Sequence, residues 1–261
     1  MRMVVCIKQV PDTTEVEIDP ERGTLIREGI PVTINPFDLY AIEEALRLRE
    51  RFGGEVLAIS MGPPQAESSL RDAIALGCDR AILLSDPVFA GADTLATSYT
   101  LSRAISKIGS YDLILCGLKT TDGDTGQVGP GLAEELGIPH SSYVRKIVDF
   151  TGEELIVERT LDETCQTVVL PLPCLITVTK EINEPRLPSF KGKMAARKAE
   201  IPVWSSKDLE GEKERFGADG SPTRVVKVFH PTTQRNPEFI EGDPSRQAET
   251  LLERLRERQI V

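Results

Sequence analysis

The chain has 261 residues, of which 40% are hydrophobic and 28% are charged, a balance typical of a folded globular protein. The formal net charge of −10 excludes general nucleic-acid binding, which depends on neutralising phosphates with Lys and Arg. No apolar run reaches the roughly 20 residues that cross a bilayer. The first ten residues indicate a strand rather than a signal peptide, so we expect a cytoplasmic protein without membrane insertion.

The five cysteines indicate neither a disulfide framework nor a metal site, because their number is odd and no pair has CxxC spacing. Cys6, Cys116 and Cys174 lie in apolar runs, where we expect small buried thiols. The two histidines are too few for a histidine-rich metal site, and we expect His140 to be a surface or loop residue.

Short apolar runs alternate with helical patterns in the first half of the chain. The predicted strands are 2–10, 55–61, 80–84 and 111–117. The predicted helices are 36–52, 64–76, 93–107 and 125–136. Asn35 and Asp93 stand where N-caps of the first and third helices are expected. Strands that are apolar on both faces, each followed by a helix, predict βαβ crossovers and an open, mostly parallel α/β sheet.

The regular alternation of predicted strands and helices ends at about residue 150. Further strands are predicted in 153–160 and in 167–182. Residues 184–200 carry a basic cluster and begin without helical or strand periodicity. We predict an α/β nucleotide-binding domain over 1–205. Residues 206–261 are predicted to form an extended arm over 206–246 and a terminal amphipathic helix, capped by Asp243, that packs on a partner subunit.

The stretch DGDTGQVGPGLA, residues 122–133, lies where a predicted strand gives way to a helix. Its glycines allow close approach, and its free backbone N–H groups at the positive end of a helix dipole favour phosphate. A capped structural turn is the alternative. No GxSxG, HExxH or Ser-His-Asp pattern is present, so we expect a bound cofactor to supply any chemistry.

Four stretches together resemble the β subunit of the electron-transfer flavoproteins. They are VVCIKQVPDT with NPFD, SMGPP followed by ALGCDRAILLSD, CGLKTTDGDTGQVGP, and VERTLDETCQTVVLPLPCLIT. The resemblance covers nearly the whole chain. It implies an adenine-nucleotide α-hydrolase-like (Rossmann-like) fold and a heterodimer with an α subunit. It also implies a shuttle of electrons between dehydrogenases and a quinone reductase or a similar acceptor.

In this family the β-subunit site holds AMP in simple shuttles and FAD in the electron-bifurcating type. Carried over by position, the resemblance implies that the nucleotide contacts Cys6, Asn35, Asp38, Met61, Asp122, Gly123, Asp124, Thr125, Gly126, Gln127, Val128 and Gly129, within 122–133. The backbone N–H groups of 123–129 would hold phosphate.

GADTLATS (91–98), DGDT (122–125) and KGKMAARKAEIPV (191–203) resemble the bifurcating branch more closely. That branch implies that Asp93, Thr94 and Thr97 lie near the flavin. Hydride then passes from NADH to FAD, and the electrons split between ferredoxin or flavodoxin and the α-subunit FAD. From the residues alone, ADTLATS is also typical of a capped helix start.

Two other functions stay open. One is an AMP-binding subunit of a simple shuttle from acyl-CoA dehydrogenases to quinone. The other is an adenine-nucleotide-sensing module without redox function.

Residues 184–198 align with the loop that family members use to grip acyl-CoA dehydrogenases. Phe190 stands at the apolar position that inserts into the partner, where the family often carries Leu or Ile. The neighbouring positive charges suit an acidic partner surface and are Lys191, Lys193, Arg197 and Lys198. A solvated basic loop is the alternative.

Overall fold

The computed structural model describes residues 1–12, 31–226 and 237–261. The strands in this part of the chain are β1 (Arg2–Cys6), β2 (Gln9–Pro11), β3 (Val32–Ile34), β4 (Glu55–Met61), β5 (Arg80–Leu84), β6 (Leu113–Gly117), β7 (His140–Phe150), β8 (Glu154–Thr160), β9 (Cys165–Pro171), β10 (Cys174–Val178) and β11 (Val203–Trp204). The α-helices are α1 (Pro36–Phe52), α2 (Glu67–Leu76), α3 (Thr94–Ile108), α4 (Val128–Leu136), α5 (Phe190–Lys198) and α6 (Pro244–Glu257). Short 3-10 turns cover Pro64–Ala66, Pro87–Phe89, Ser206–Asp208 and Lys213–Arg215.

One nine-stranded sheet in the order β11-β5-β4-β1-β6-β10-β7-β8-β9 forms the centre of the protein. The first seven of these strands run parallel. The last two are antiparallel additions that follow β7 as a meander. β2 and β3 form a separate antiparallel pair. The predicted open, mostly parallel α/β sheet of Rossmann-like type is therefore confirmed.

Helices cover both faces of the parallel part of the sheet. Alternate residues of β1 show this arrangement, because Met3 and Val5 pack toward α1 and α2 whereas Val4 and Cys6 pack toward α3 and α4. Burying a strand on both faces requires a continuous apolar sequence, as in RMVVC. The predicted burial of Cys6, Cys116 and Cys174 is confirmed.

The direction of the chain across the sheet reverses at β1. From β1 the chain proceeds outward to β4 and β5, and it then returns through α3 to β6 on the other side of β1. In open α/β sheets this reversal leaves a crevice beyond the carboxyl ends of the two central strands, and ligands bind there. The crevice between β1 and β6 is thus where a ligand is expected.

The four predicted helices are present; α1 has the predicted bounds, and the other three start one to three residues later than predicted. The N-cap at Asp93 is confirmed, because its carboxylate accepts hydrogen bonds from the Leu95 and Ala96 N–H groups. Asn35 stands at the N-cap position of α1 as predicted, but its side chain accepts no hydrogen bond from a backbone N–H of the first turn, so the expected side-chain cap is absent. Helix α4 begins at Val128 rather than at 125. Strand β7 and helix α5 are elements that the sequence patterns did not predict.

Residues directly after 205 return to the sheet. Phe216 is 1% exposed and packs between Phe89 and Tyr99, with ring centroids 5.5 Å and 5.3 Å away. Leu209 is also buried in this layer. The domain boundary at 205 stays a prediction. Residues 227–236 of the expected arm lie outside the described residues.

Candidate nucleotide site

The crevice is lined by two strand ends and three helix starts. β1 ends at Cys6 and β6 ends at Gly117, and their segments lead into α1 and into the loop before α4. The N-terminus of α3 reaches the same edge. Helix N-termini present free N–H groups and a positive dipole end, so this edge favours an anion.

Asn35 fastens the end of β3 to the loop that follows β6. The residue is fully buried; its Nδ2 donates to the Lys119 carbonyl at 2.9 Å, and its Oδ1 accepts from the Thr121 N–H at 3.2 Å. This long-range bond explains why Asn35 does not cap α1. Asn35 shapes the loop and leaves little surface for a ligand.

Asp38 lies in the first turn of α1 beneath the same crevice, where it is 4% exposed. Its Oδ2 accepts a hydrogen bond from the Lys8 N–H at 2.8 Å. Burial raises the pKa of this carboxyl to about 7, against the opposing effect of hydrogen bonds from Lys8, Asn35 and Gly117. A Cβ at Gly117 would lie 2.3 Å from Asp38 Oδ1, so only glycine fits at the end of β6.

Two lysines neutralise the two aspartates of the glycine-rich loop. Lys8 Nζ lies 2.7 Å from both carboxylate oxygens of Asp122, and Lys119 Nζ lies 2.7 Å from Asp124 Oδ1. The aspartates would otherwise repel phosphate. Sequence reasoning did not single out Lys8 or Lys119. Lys119 stands two residues beyond the predicted strand 111–117, but Lys8 lies inside the predicted strand 2–10, and only the observed end of β1 at Cys6 places it in the loop.

The loop before α4 presents a run of unpaired backbone donors. Among the described residues, no protein acceptor takes the N–H groups of Thr125, Gly126, Gln127, Val128 or Gly129. Gln127 provides no side-chain cap for α4. Gly126 has a φ of +64°, a value that favours glycine and turns the backbone at this point. Of the predicted donors 123–129, only the Asp124 N–H is consumed, by the Thr120 carbonyl. Five free N–H groups in one short stretch are what an anion cradle requires, and we use the term cradle for this stretch below.

Gly129 allows α4 to approach the sheet closely. A Cβ on this buried glycine would lie 2.4 Å from Thr177 Cγ2 on β10. The positive end of α4 is therefore held directly against the carboxyl edge of the sheet.

The starts of α3 and α4 are joined side by side. Thr94 Oγ1 donates to Gln127 Oε1 at 3.0 Å, and Ser98 Oγ lies 3.1 Å from the Val128 carbonyl. Thr97 is half-buried one turn into α3. The structure thus brings Asp93, Thr94 and Thr97 next to the cradle.

Cys6 and Met61 are the remaining residues predicted for the nucleotide. Cys6 is 8% exposed and lies in register with Cys116 of β6. A hydrogen bond with Cys6, together with burial, raises the pKa of the Cys116 thiol, so Cys116 stays a neutral thiol. Both cysteines are buried under the crevice. Met61 is half-buried at the end of β4.

The residues predicted for a protein partner lie elsewhere. Helix α5 packs on α2, with the Arg71 guanidinium donating to the Ala196 carbonyl at 2.7 Å, on the sheet face opposite α3 and α4. This placement keeps Phe190, Lys191, Lys193, Arg197 and Lys198 away from the cradle. Phe190 is 83% exposed and Leu187 is 88% exposed, so the structure offers an apolar pair beside basic side chains.

Comparison with known proteins identifies the family. The electron transfer flavoprotein domain matches residues 22–209. The electron transfer flavoprotein subunit beta of Thermoanaerobacterium thermosaccharolyticum is 50% identical over 262 residues, covering 100% of both chains. Protein FixA of Azorhizobium caulinodans is 47% identical, covering 90% of this chain and 86% of that protein. The caffeyl-CoA reductase-Etf complex subunit CarD of Acetobacterium woodii is 43% identical, covering 100% of both.

The chain therefore belongs to the electron transfer flavoprotein family, among its β subunits. None of the six α-helices in the described residues combines the length and the apolar character needed to cross a membrane.

Proposed function

We propose that this chain is the FAD-binding β subunit of a heterodimeric electron-transfer flavoprotein of the electron-bifurcating type. The observation that carries the proposal is the run of five unpaired N–H groups at 125–129 with Lys8 and Lys119 beside it. A pyrophosphate needs several free donors and compensating positive charge, and the unpaired N–H groups and the two lysines support this assignment.

The residues fit an adenine dinucleotide in three respects. The cradle would bind phosphate oxygens, and Lys8 and Lys119 would turn from the aspartates toward them. Thr94 and Thr97 would offer hydroxyl groups from the adjacent helix start. Cys6 and Cys116 would exclude water beneath the crevice. Once bound, FAD would accept hydride from NADH and divide the two electrons between ferredoxin or flavodoxin and the FAD of an α subunit.

The cofactor content of the assembled protein tests this proposal. The chain is co-expressed with an α subunit, purified, and its nucleotides are released by acid and quantified. Two FAD per heterodimer is the expected result. One FAD and one AMP would instead indicate a simple shuttle. Failure of any α subunit to co-purify, with no flavin, would indicate a nucleotide-sensing module.

Charge-neutral variants test which residues hold the phosphates. Replacing Lys8→Gln and Lys119→Gln together should weaken nucleotide binding by about tenfold or more, because each lysine is positioned for a charge-assisted hydrogen bond. Lys107→Gln is the matched control, since Lys107 lies over the Trp204 ring at 4.5 Å, away from the crevice. Equal losses of nucleotide affinity in the double variant and in Lys107→Gln would contradict the assignment.

We further propose that α5 docks an acyl-CoA dehydrogenase or a quinone-reductase-like partner. Exposed Phe190 would be the anchor, and the basic side chains of α5 would steer an acidic surface. Phe190→Ala should lower electron transfer to the partner by about tenfold or more while leaving the unfolding midpoint unchanged. Val226→Ala is the control, since Val226 is 96% exposed on another segment. An unchanged transfer rate in Phe190→Ala would reject the docking role.

A further inference from the structure

The carboxylate of Asp93 is shared between α3 and the C-terminal segment. Its Oδ1 accepts from the Leu95 and Ala96 N–H groups at 2.9 Å and 3.1 Å. Its Oδ2 accepts from the N–H and the hydroxyl of Thr223 at 3.2 Å and 2.8 Å. Residues 93 and 223 are far apart in sequence, so the second pair of bonds is a tertiary connection rather than a turn.

The main chain of Asp93 makes a second connection to the same segment. Its N–H donates to Ser221 Oγ at 2.8 Å. Ser221 is 9% exposed, and its hydroxyl lies 2.7 Å from the Gly217 carbonyl. The segment is itself anchored by Phe216 in the core. Residues Ser221–Thr223 thus hold Asp93 from two sides.

This arrangement leaves Asp93 no free acceptor for a ligand. Four donors occupy its two oxygens. Although burial opposes the change, hydrogen bonds from Ala96, Thr223 and Leu95 lower the pKa of Asp93, so the side chain is ionised at neutral pH. What reaches the phosphate loop from α3 is the next residue, Thr94, through Gln127.

We infer that Asp93 is a positioning residue through which Ser221–Thr223 set the first turn of α3, and with it the Thr94–Gln127 bond and the phosphate loop. This inference rests on the proposed nucleotide site. It adds that the segment leading into the C-terminal arm influences how tightly this site binds nucleotide. Because coupling between two sites is reciprocal, nucleotide binding also stabilises the 221–223 segment.

The test compares variants of the full chain co-expressed with its α subunit and stripped of nucleotide, titrated separately with AMP and with FAD. Thr223→Val removes the hydroxyl donor and should weaken binding roughly threefold to tenfold. Thr223→Ser keeps the hydroxyl and should bind like the wild type. Asp93→Ser keeps a helix cap but cannot reach Thr223, so it should show a comparable loss.

The double variant separates coupling from simple damage. If the bond between the two residues carries the effect, Asp93→Ser with Thr223→Val should bind no more weakly than Asp93→Ser alone. Thr151→Val is the matched control, because it removes a threonine hydroxyl that bonds only the Glu154 turn. Additive losses in the double variant, or wild-type affinity in Thr223→Val, would overturn the inference.

Hydrogen exchange tests the positioning step without nucleotide. The Leu95 and Ala96 amides should exchange faster in Thr223→Val than in the wild type or in Thr151→Val. Unchanged exchange would contradict the inference even if affinity fell. Should the wild type bind neither AMP nor FAD, the proposed site would be rejected, and the exchange comparison would still decide the role of Asp93.

Discussion

Asp38 places a titratable carboxyl in the interior, where the ends of β1 and β6 separate. Its pKa is about 7 in the folded chain against 3.8 for the free side chain. The folded state therefore binds the proton more tightly than the unfolded state. As a result, the Asp38 contribution to the free energy of unfolding falls as pH rises from about 4 to about 7.

Replacing Asp38→Asn should remove this pH dependence, because the amide stays neutral. The free energy of unfolding of the wild type should fall by about 3 kcal/mol relative to that of the variant as pH rises from about 5 to about 8. Urea denaturation at the two pH values measures the change. Asp219→Asn, at an exposed position, is the control and should shift little. A constant difference between Asp38→Asn and wild type would contradict the assignment.

Gly129 shows how one missing methyl group positions a helix. Gly129→Ala should lower the free energy of unfolding by about 2 kcal/mol, since its Cβ would overlap Thr177 Cγ2. Adding Thr177→Ser removes that methyl group and should restore part of the loss. Chemical denaturation of the single and double variants measures both effects. No recovery in the double variant would mean that another contact is responsible.

At the scale of single residues, the sequence indicated which segments lie near the crevice but not all the contacts that their side chains make. The glycines of 123–129 carry their function in local chain geometry, so a local pattern revealed them. Asn35 precedes a helix and looks like a cap, yet its side chain bonds Lys119 and Thr121 far along the chain. Lys8 owes its position to Asp122, which only the folded sheet brings near.

Helix α1 connects the crevice to the segment that precedes α5. Its N-terminal turn carries Asp38, and about one and a half turns later Glu43 binds Arg186, with Arg186 Nε 2.7 Å from Glu43 Oε2. The Glu43 side chain is 5% exposed, whereas Glu50, the second partner of Arg186, is 52% exposed. The buried pair fixes the chain leading to the proposed docking helix.

Removing Arg186 should therefore destabilise the protein more than removing Glu50. Arg186→Ala should lower the free energy of unfolding by about 2 to 3 kcal/mol, because among the described residues buried Glu43 then keeps Arg47 as its one ionic partner. Glu50→Ala, the matched control, should lose less than about 0.5 kcal/mol. Equal losses measured by urea denaturation would contradict this ranking.

The pH dependence of the Arg186→Ala effect has a definite sign. Burial alone would raise the pKa of Glu43, but hydrogen bonds from Arg186 and Arg47 outweigh it and lower that pKa. A group whose pKa is lower in the folded than in the unfolded chain stabilises the fold at pH values above its unfolded-state pKa, and this contribution is lost as pH falls. The loss in Arg186→Ala should therefore shrink in acid.

Helices and strands with a regular apolar periodicity could be predicted from the sequence. Those whose burial changes along their length, or whose residues are mostly polar, could not. Helix α1 has the predicted bounds because Ala41, Ala45 and Leu48 repeat at helical spacing and are buried, and Pro36 marks the first helical position. Strand β7 was missed because it starts inside the parallel sheet and ends in the exposed meander, so its burial follows no single alternation. Helix α5 is mostly polar, and only Ala196 is buried. Its position comes from contacts with α2 rather than from its own pattern.

The last described segment, 237–261, is joined to the rest by no hydrogen bond or ion pair among the described residues. Its helix α6 leaves Leu251 and Leu252 49% and 43% exposed. Deleting 237–261 should leave the free energy of unfolding of the chain within about 0.5 kcal/mol of wild type. If α6 packs on an α subunit, the deletion should also reduce its co-purification. A large loss of stability would show that the segment belongs to the domain.

The parallel partner of β5 comes from Val203–Trp204, more than a hundred residues later in the chain. During synthesis, the outer edge of β5 therefore has no partner strand until residues 203–204 have been made. Uncovered strand edges pair with other chains, and domains fold only once their parts have been made. Once it is made, Val203–Trp204 covers this edge, so a chain that terminates before Val203 should aggregate more readily than the full chain.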